Sequence, residues 1–106
     1  SLGKGRLVEI ARALMVQPKL LLLDEPSSGL DVKETEAFAE ALLRIQKERQ
    51  FATLLVEHDV DLVSSFTQRA YLMDLGRHIT NGATADVMKS EELRRAYLGD
   101  GEGVQQ

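Results

Sequence analysis

Cysteine is absent from the 106 residues, which excludes a disulfide framework and any chemistry that needs a thiolate. An excess of positive charge is absent too. Thirteen Lys and Arg face 17 Asp and Glu, for a formal net charge of −4 with the two signs interspersed. The electrostatic footprint of a nucleic-acid binder is therefore missing. No apolar run approaches the ~20 residues that a membrane-spanning helix needs, and the chain does not open on a basic stretch followed by an apolar one. Internal repeats and low-complexity segments are lacking as well. What remains is 43% hydrophobic and 28% charged, the composition of an ordinary folded chain rather than a disordered one. The length allows one domain at most. A cytoplasmic setting is the expectation that these features fit.

Alternating elements occupy that length. In "GRLVEIARALMV" the residues Leu7, Ile10, Ala11, Leu14 and Met15 recur at helical spacing, predicting a helix from about 5 to 16 that "QPK" stops. Four leucines at 20–23 predict a strand over 20–24, buried on both faces. A long helix is expected over 32–49, with Phe38, Leu42 and Ile45 inward, and a second apolar strand over 52–57. A short helix (61–66), a hairpin (69–75 and 78–80) and two short helices (about 84–89 and 90–98) complete the pattern. The polar tail from 99 to 106 is expected to be disordered. Strand, helix, strand, helix implies an α/β fold with parallel strands flanked by helices. Only two such strands are present and the chain opens inside a motif, so it reads as the second half of something larger.

The chemistry concentrates where the first strand ends. "LLLLDEP" runs an apolar strand into two adjacent acids, Asp24 and Glu25. Acids at a strand's exit are commonly just solvated, and Pro26 would help begin a turn. A cation, or water to be polarised, is the alternative reason for them. "LVEHD" ends the next strand, and one helical crossover brings consecutive strand ends to the same edge of a sheet, so His58 and Glu25 are expected to face one crevice. A neutral imidazole there can donate a hydrogen bond to a terminal phosphate oxygen, although a lone histidine is more often a packed or solvated residue. "SLGKGR" opens a helix whose N-terminal amides favour an anion, or is a plain N-cap. Its "GKG" is no phosphate-binding loop: the upstream glycine, the preceding strand and the Ser or Thr after lysine are all missing. Asp31, before "VKE", has the pattern of a capping box, and Asp59 that of an N-cap.

Together these stretches resemble the nucleotide-binding domain of ATP-binding cassette (ABC) proteins, over residues 1–98. "SLGKGR" followed by "EIARAL" is similar to the signature motif, with Ser1 and Gly3 in its key positions. "LLLLDEP" resembles Walker B, "SSGLD" the D-loop, and "VEHD" the switch histidine, all in family order. Leu2 and Lys4 depart from the usual signature, and its leading leucine is missing. Nothing resembles Walker A, the Q-loop or the base-stacking aromatic. The resemblance implies a partial P-loop NTPase fold that closes with a C-terminal β-hairpin and short helices. It implies ATP and Mg²⁺ as ligands, with Asp24 holding the metal, Glu25 polarising the attacking water and His58 contacting the γ-phosphate. Ser1 and Gly3 would touch the nucleotide of a second ATPase subunit, paired head to tail, and Asp31 would signal across that dimer. The partners would be this second subunit and transmembrane permease subunits, not nucleic acid, at the inner face of the plasma membrane. "GRHITNGATADVMKSEELRRAYLG" is similar to the ATPase subunits of branched-chain amino acid importers. ATPases of chromosome maintenance or DNA repair, which share the motifs, are the alternative. The resemblance also places a Walker A strand between the strands at 20–24 and 53–57. With that strand lacking, the two are expected to have no neighbour between them, and the chain alone to be marginally stable, to self-associate and to hydrolyse no ATP.

Overall fold

The computed structural model describes the backbone of residues 1–104 and the side chains of residues 1–97. These residues divide into two compact units, 1–66 and from 67 onward. The first holds helix α1 (Leu2–Leu14), strand β1 (Leu20–Asp24), helix α2 (Val32–Arg49), strand β2 (Ala52–Val56) and helix α3 (Val60–Phe66).

Each boundary has a local cause. Ser1 Oγ accepts the Lys4 amide at 3.2 Å and caps α1, which therefore starts earlier than its apolar periodicity suggests. It also ends earlier. Met15 lies past the helix and is exposed, and Gln17 takes a left-handed conformation (φ 54°) just before Pro18, whose ring disfavours helix in the preceding residue. Helix α2 opens with the expected capping box: Asp31 Oδ1 accepts the Glu34 amide at 2.7 Å, and Glu34 Oε1 accepts the Asp31 amide at 3.1 Å. A cap of this kind contributes about 1 kcal/mol. Gln50, left-handed at φ 56°, ends the helix. Asp59 Oδ1 accepts the Leu62 amide at 3.1 Å and caps α3 as expected.

The two strands pair directly and in parallel, Leu20 opposite Ala52 through Asp24 opposite Val56. The ladder continues past both ends, with the Ala52 amide on Lys19 O and the Glu25 amide on Val56 O at 2.7 Å. This overturns the expected gap. The β1–α2–β2 segment is one strand–helix–strand unit whose strands satisfy each other's backbone groups, so no third strand is needed between them.

Burial corrects a second expectation. Leu21 and Leu23 of β1 face a core built with Ile10, Leu14, Phe38, Ala39, Leu42, Phe51, Leu62 and Phe66, and Leu55 of β2 packs against it. The alternate residues lie open: Leu22 is 65% exposed and Leu54 58%, with Leu20 and Val56 similar. All three helices of this unit contribute to the core on one side, so residues 1–66 supply no cover for the sheet's other face. Four exposed aliphatics in register explain why the strands read as buried on both sides.

The second unit is a hairpin, β3 (Arg69–Asp74) with β4 (Arg77–Ala83), followed by α4 (Thr84–Met88) and α5 (Glu91–Val104). Leu75 and Gly76 both have positive φ (49° and 76°), the geometry of the tight primed turn that matches strand twist. A bulge follows Leu72. Thr67 Oγ1 and Thr84 Oγ1 share a hydrogen bond of 2.8 Å that ties the hairpin's base to α4. The tail expected from 99 overlaps α5: residues 99–104 are helical backbone, and 105–106 lie outside the described residues.

The sidedness of the sheet is testable in the chain itself. Leu42 is 1% exposed, and Leu42→Ala should cost about 2–5 kcal/mol in urea unfolding. Leu22→Ala, on the open face, should stay within about 0.5 kcal/mol. A comparable loss for both would mean that the open face is covered in solution.

Candidate functional site

Direct pairing of β1 and β2 sets their two exits side by side, and the chemistry-bearing residues follow from that. Asp24 is the last residue of β1 and is exposed. Glu25 leaves the strand with φ 47°, a left-handed conformation that costs a non-glycine residue on the order of 1 kcal/mol or more. This backbone turn aims its carboxylate at the neighbouring exit. There His58 Nδ1 lies 2.7 Å from Glu25 Oε1, with the imidazole 82% and the carboxylate 47% exposed. The sequence expectation that these two share a crevice is met by direct contact.

The contact has a consequence for the imidazole. An ionised carboxylate only accepts hydrogen bonds, so the proton between the two sits on Nδ1. Nε2 is then the ring atom left to face a ligand. In the neutral ring it is an acceptor. It can donate to a phosphate oxygen only if the ring is protonated, or if His58 releases Glu25 and changes tautomer. A neutral imidazole donating to phosphate therefore does not fit this arrangement as it stands.

Asp24 offers a hard oxygen donor at the same corner. Among the described residues no group of three His, Cys, Asp or Glu side chains could hold a metal ion. A single carboxylate is what Mg²⁺ accepts when water and substrate phosphates complete its shell, so Asp24 fits that ion and does not form a closed protein cage.

The loop after Glu25 is tightly held. The Ser28 amide donates to Glu25 O at 3.1 Å and the Leu30 amide to Ser27 O at 2.9 Å. Gly29, at φ 82°, is approached so closely by Leu2 that an added Cβ would lie 3.0 Å from Leu2 Cδ2. The start of α1 thus packs on the end of this loop. Gly3 is part of that packing, and the atoms nearest to a Cβ there belong to Leu30 and Glu34. Ser1 and Asp31 are engaged as helix caps. The structure therefore brings Asp24, Glu25 and His58 to one corner, while Ser1 and Asp31 cap α1 and α2 and Gly3 lies where α1 packs near Leu30 and Glu34.

Two residues at this site escaped the sequence reading. Arg6 donates to the carbonyls of Pro26 and Ser28, the latter at 2.7 Å. Glu57 accepts the Ser27 amide at 2.9 Å on one oxygen, and the His58 and Asp59 amides at 3.2 and 3.3 Å on the other. The available signal was parity: Glu57 continues the inward row of Thr53 and Leu55, where a carboxylate needs donors.

The chain is similar to known proteins. No family model matches the chain. The high-affinity branched-chain amino acid transport ATP-binding protein LivG of Salmonella typhimurium is 37% identical over 98 residues, 92% of this chain and 38% of that protein. The lipopolysaccharide export system ATP-binding protein LptB of Haemophilus influenzae is 36% identical over the same share of this chain and 40% of its own length. A crystal structure of the ADP conformation of an ATP-binding cassette of an ABC transporter superposes with a TM-score of 0.80 at 29% identity, covering 93% of this chain and 40% of that one. The chain thus spans about two-fifths of the length of the relatives it matches.

The His58 proton is directly observable. In ¹⁵N-detected NMR the ring should be Nδ1-protonated, and Glu25→Ala should return it to the ordinary equilibrium of the exposed side chain. A ring carrying its single proton on Nε2 in the unaltered protein would disprove the contact.

Proposed function

We propose that this chain, which corresponds in sequence and fold to the C-terminal part of an ABC-transporter ATP-binding domain, is part of a subunit that binds and hydrolyses ATP to energise transport. The observation that carries the reading is the Glu25–His58 contact of 2.7 Å at two paired strand exits, beside Asp24. Phosphoryl transfer needs little covalent chemistry from a protein; it needs charge placed and water oriented. Asp24 would hold Mg²⁺, which when bound neutralises charge developing on the phosphates. Glu25 would orient the attacking water and draw on its proton. His58 would hold the Glu25 carboxylate through Nδ1 and present Nε2 to the terminal phosphate. To donate to that phosphate through Nε2 while Nδ1 stays on Glu25, the ring would carry a proton on both nitrogens.

The remaining roles rest on the family resemblance. Ser1 and Gly3 would meet the nucleotide bound by a second, head-to-tail ATPase subunit, and Asp31 would act across that dimer besides capping α2. Transmembrane permease subunits would be the other partners, with the ATPase lying on the cytoplasmic face of the plasma membrane. No helix among the described residues is long and apolar enough to cross a membrane. Branched-chain amino acid import is the finer reading, supported by the match to LivG and by the similarity of the stretch ending in "AYLG". The match to LptB is nearly as strong, so overall identity does not separate the transported solutes. The reported relatives are transport ATPases, and the chromosome-maintenance alternative draws no support from them.

In the full-length protein, Glu25→Gln should lower ATP turnover by about 10²-fold or more, the usual contribution of a positioned proton acceptor. Nucleotide affinity should stay within a few-fold, because the amide keeps the shape of the side chain. Near-normal turnover would remove Glu25 from the mechanism.

The 106-residue chain alone should hydrolyse no ATP, since its sequence contains no phosphate-binding loop. Turnover by the pure chain would contradict that source of nucleotide binding.

A further inference from the structure

We propose that Arg6 and Glu57 act as a pair of positioning residues that clamp the loop following Glu25 and so hold its carboxylate against His58. The proposal rests on the reading of Glu25 and His58 as the hydrolytic pair. It concerns two residues that take no part in that reading.

The backbone groups from Glu25 to Ser28 can be followed one by one. The Glu25 amide donates to Val56 O, and Glu25 O accepts the Ser28 amide. Pro26 has no amide, and its carbonyl accepts from Arg6. The Ser27 amide donates to Glu57, while Ser27 O accepts the Leu30 amide. Ser28 O accepts the second Arg6 nitrogen. Every donor and acceptor in the segment is engaged, and the two partners contributed by side chains are both charged. Hydrogen bonds to charged groups are roughly twice as strong as neutral ones. Arg6 lies 20 and 22 residues before the two carbonyls it holds, and Glu57 lies 30 residues after the Ser27 amide.

A left-handed Glu25 persists only where its surroundings over-determine it. The two charged contacts are what over-determines it here. Glu57 does more than hold the loop, because its second oxygen accepts the His58 and Asp59 amides. One carboxylate therefore grips the segment that carries Glu25 and the segment that carries His58, fixing their separation. Arg6 adds a grip from α1, the helix whose first turn also packs Leu2 on Gly29. A shift of α1 would pull on two carbonyls of the loop and change the aim of Glu25 directly.

Both residues depend on their forked geometry. In Glu57→Gln one oxygen becomes an NH₂ facing an amide donor, so one of the two grips must break. In Arg6→Lys a single ammonium replaces a fork that reaches two carbonyls.

The test uses the full-length protein with Mg²⁺ and ATP. Both variants should lower kcat by about 10- to 10²-fold, the scale of a small misplacement of reacting groups. KM for ATP and the melting temperature should change little, and the Nδ1–H signature of His58 should weaken in each. The double variant should lose less than the product of the single losses, since both act on one loop. A higher KM at unchanged kcat would make the residues nucleotide contacts and overturn the proposal. A kcat loss matched by lost folded protein would make them merely structural and overturn it equally. Should Glu57→Gln fail to fold, Arg6→Lys, which keeps the charge at a half-buried position, decides the matter alone. If Glu25→Gln itself turns over normally, the hydrolytic reading fails. If that variant is inactive while Arg6→Lys and Glu57→Gln keep normal kcat and an intact His58 signature, only the clamp fails.

Discussion

The backbone hydrogen bond from the Glu25 amide to Val56 O, 2.7 Å long, is the point on which the site turns. It is the last rung of a parallel ladder, and parallel pairing has one geometric property that antiparallel pairing lacks: consecutive strands leave the sheet on the same edge. Asp24 stands opposite Val56, so whatever follows each strand is already neighbouring. A helix of 18 residues, started by Asp31 and ended by Gln50, supplies the crossover. Core burial of Phe38, Ala39 and Leu42 holds that helix on one face of the sheet. Packing thus does the coarse positioning, and the ladder brings the last residues into register.

What the sequence conveyed follows from how local each feature is. Helix α2 was legible to the residue because its periodicity, its capping box and its charged outer face agree. Asp59 as a cap was similarly local, and so was the hairpin, although its turn lies at Leu75–Gly76, one residue before the expected Gly76–Arg77. Pairing order was not legible. Two apolar strands announce that they belong in a sheet, but not which of them are adjacent, and the expected intervening strand is replaced by direct contact. The sheet's open face was misread for a related reason. Leu20, Leu22, Leu54 and Val56 carry the composition of two-sided burial, whereas burial among the described residues reflects only the helices that this stretch supplies. Arg6 and Glu57 were missed because their partners are main-chain atoms 20 to 30 residues away. Backbone amides and carbonyls leave no trace in a sequence.

The cost of placing two acids after four leucines resolves differently for each acid. Asp24 and Glu25 are both exposed, so neither carries the large desolvation penalty that burial would impose. The energetic expense lies elsewhere, in the left-handed backbone of Glu25 and in the ordering of a loop that solvent would otherwise loosen. Proline at 26 lowers part of that cost, because it removes one amide that would need a partner and restricts the unfolded chain. Arg6 and Glu57 offset the rest with charge-assisted bonds.

A loop with every backbone group from Glu25 to Ser28 engaged cannot adjust by small independent steps. Moving one residue breaks a contact with α1, β2 or the segment around His58. That makes the corner behave as a unit, stiff while its partners stay put and displaced together when one of them moves. Packed elements with saturated hydrogen bonds shift between discrete arrangements rather than deforming continuously. Helix α1 is the element best placed to drive such a shift, because it reaches the loop through Arg6 and through Leu2 on Gly29. Contacts made at the first turn of α1 and the aim of the Glu25 carboxylate are therefore joined by two side chains and four residues of backbone.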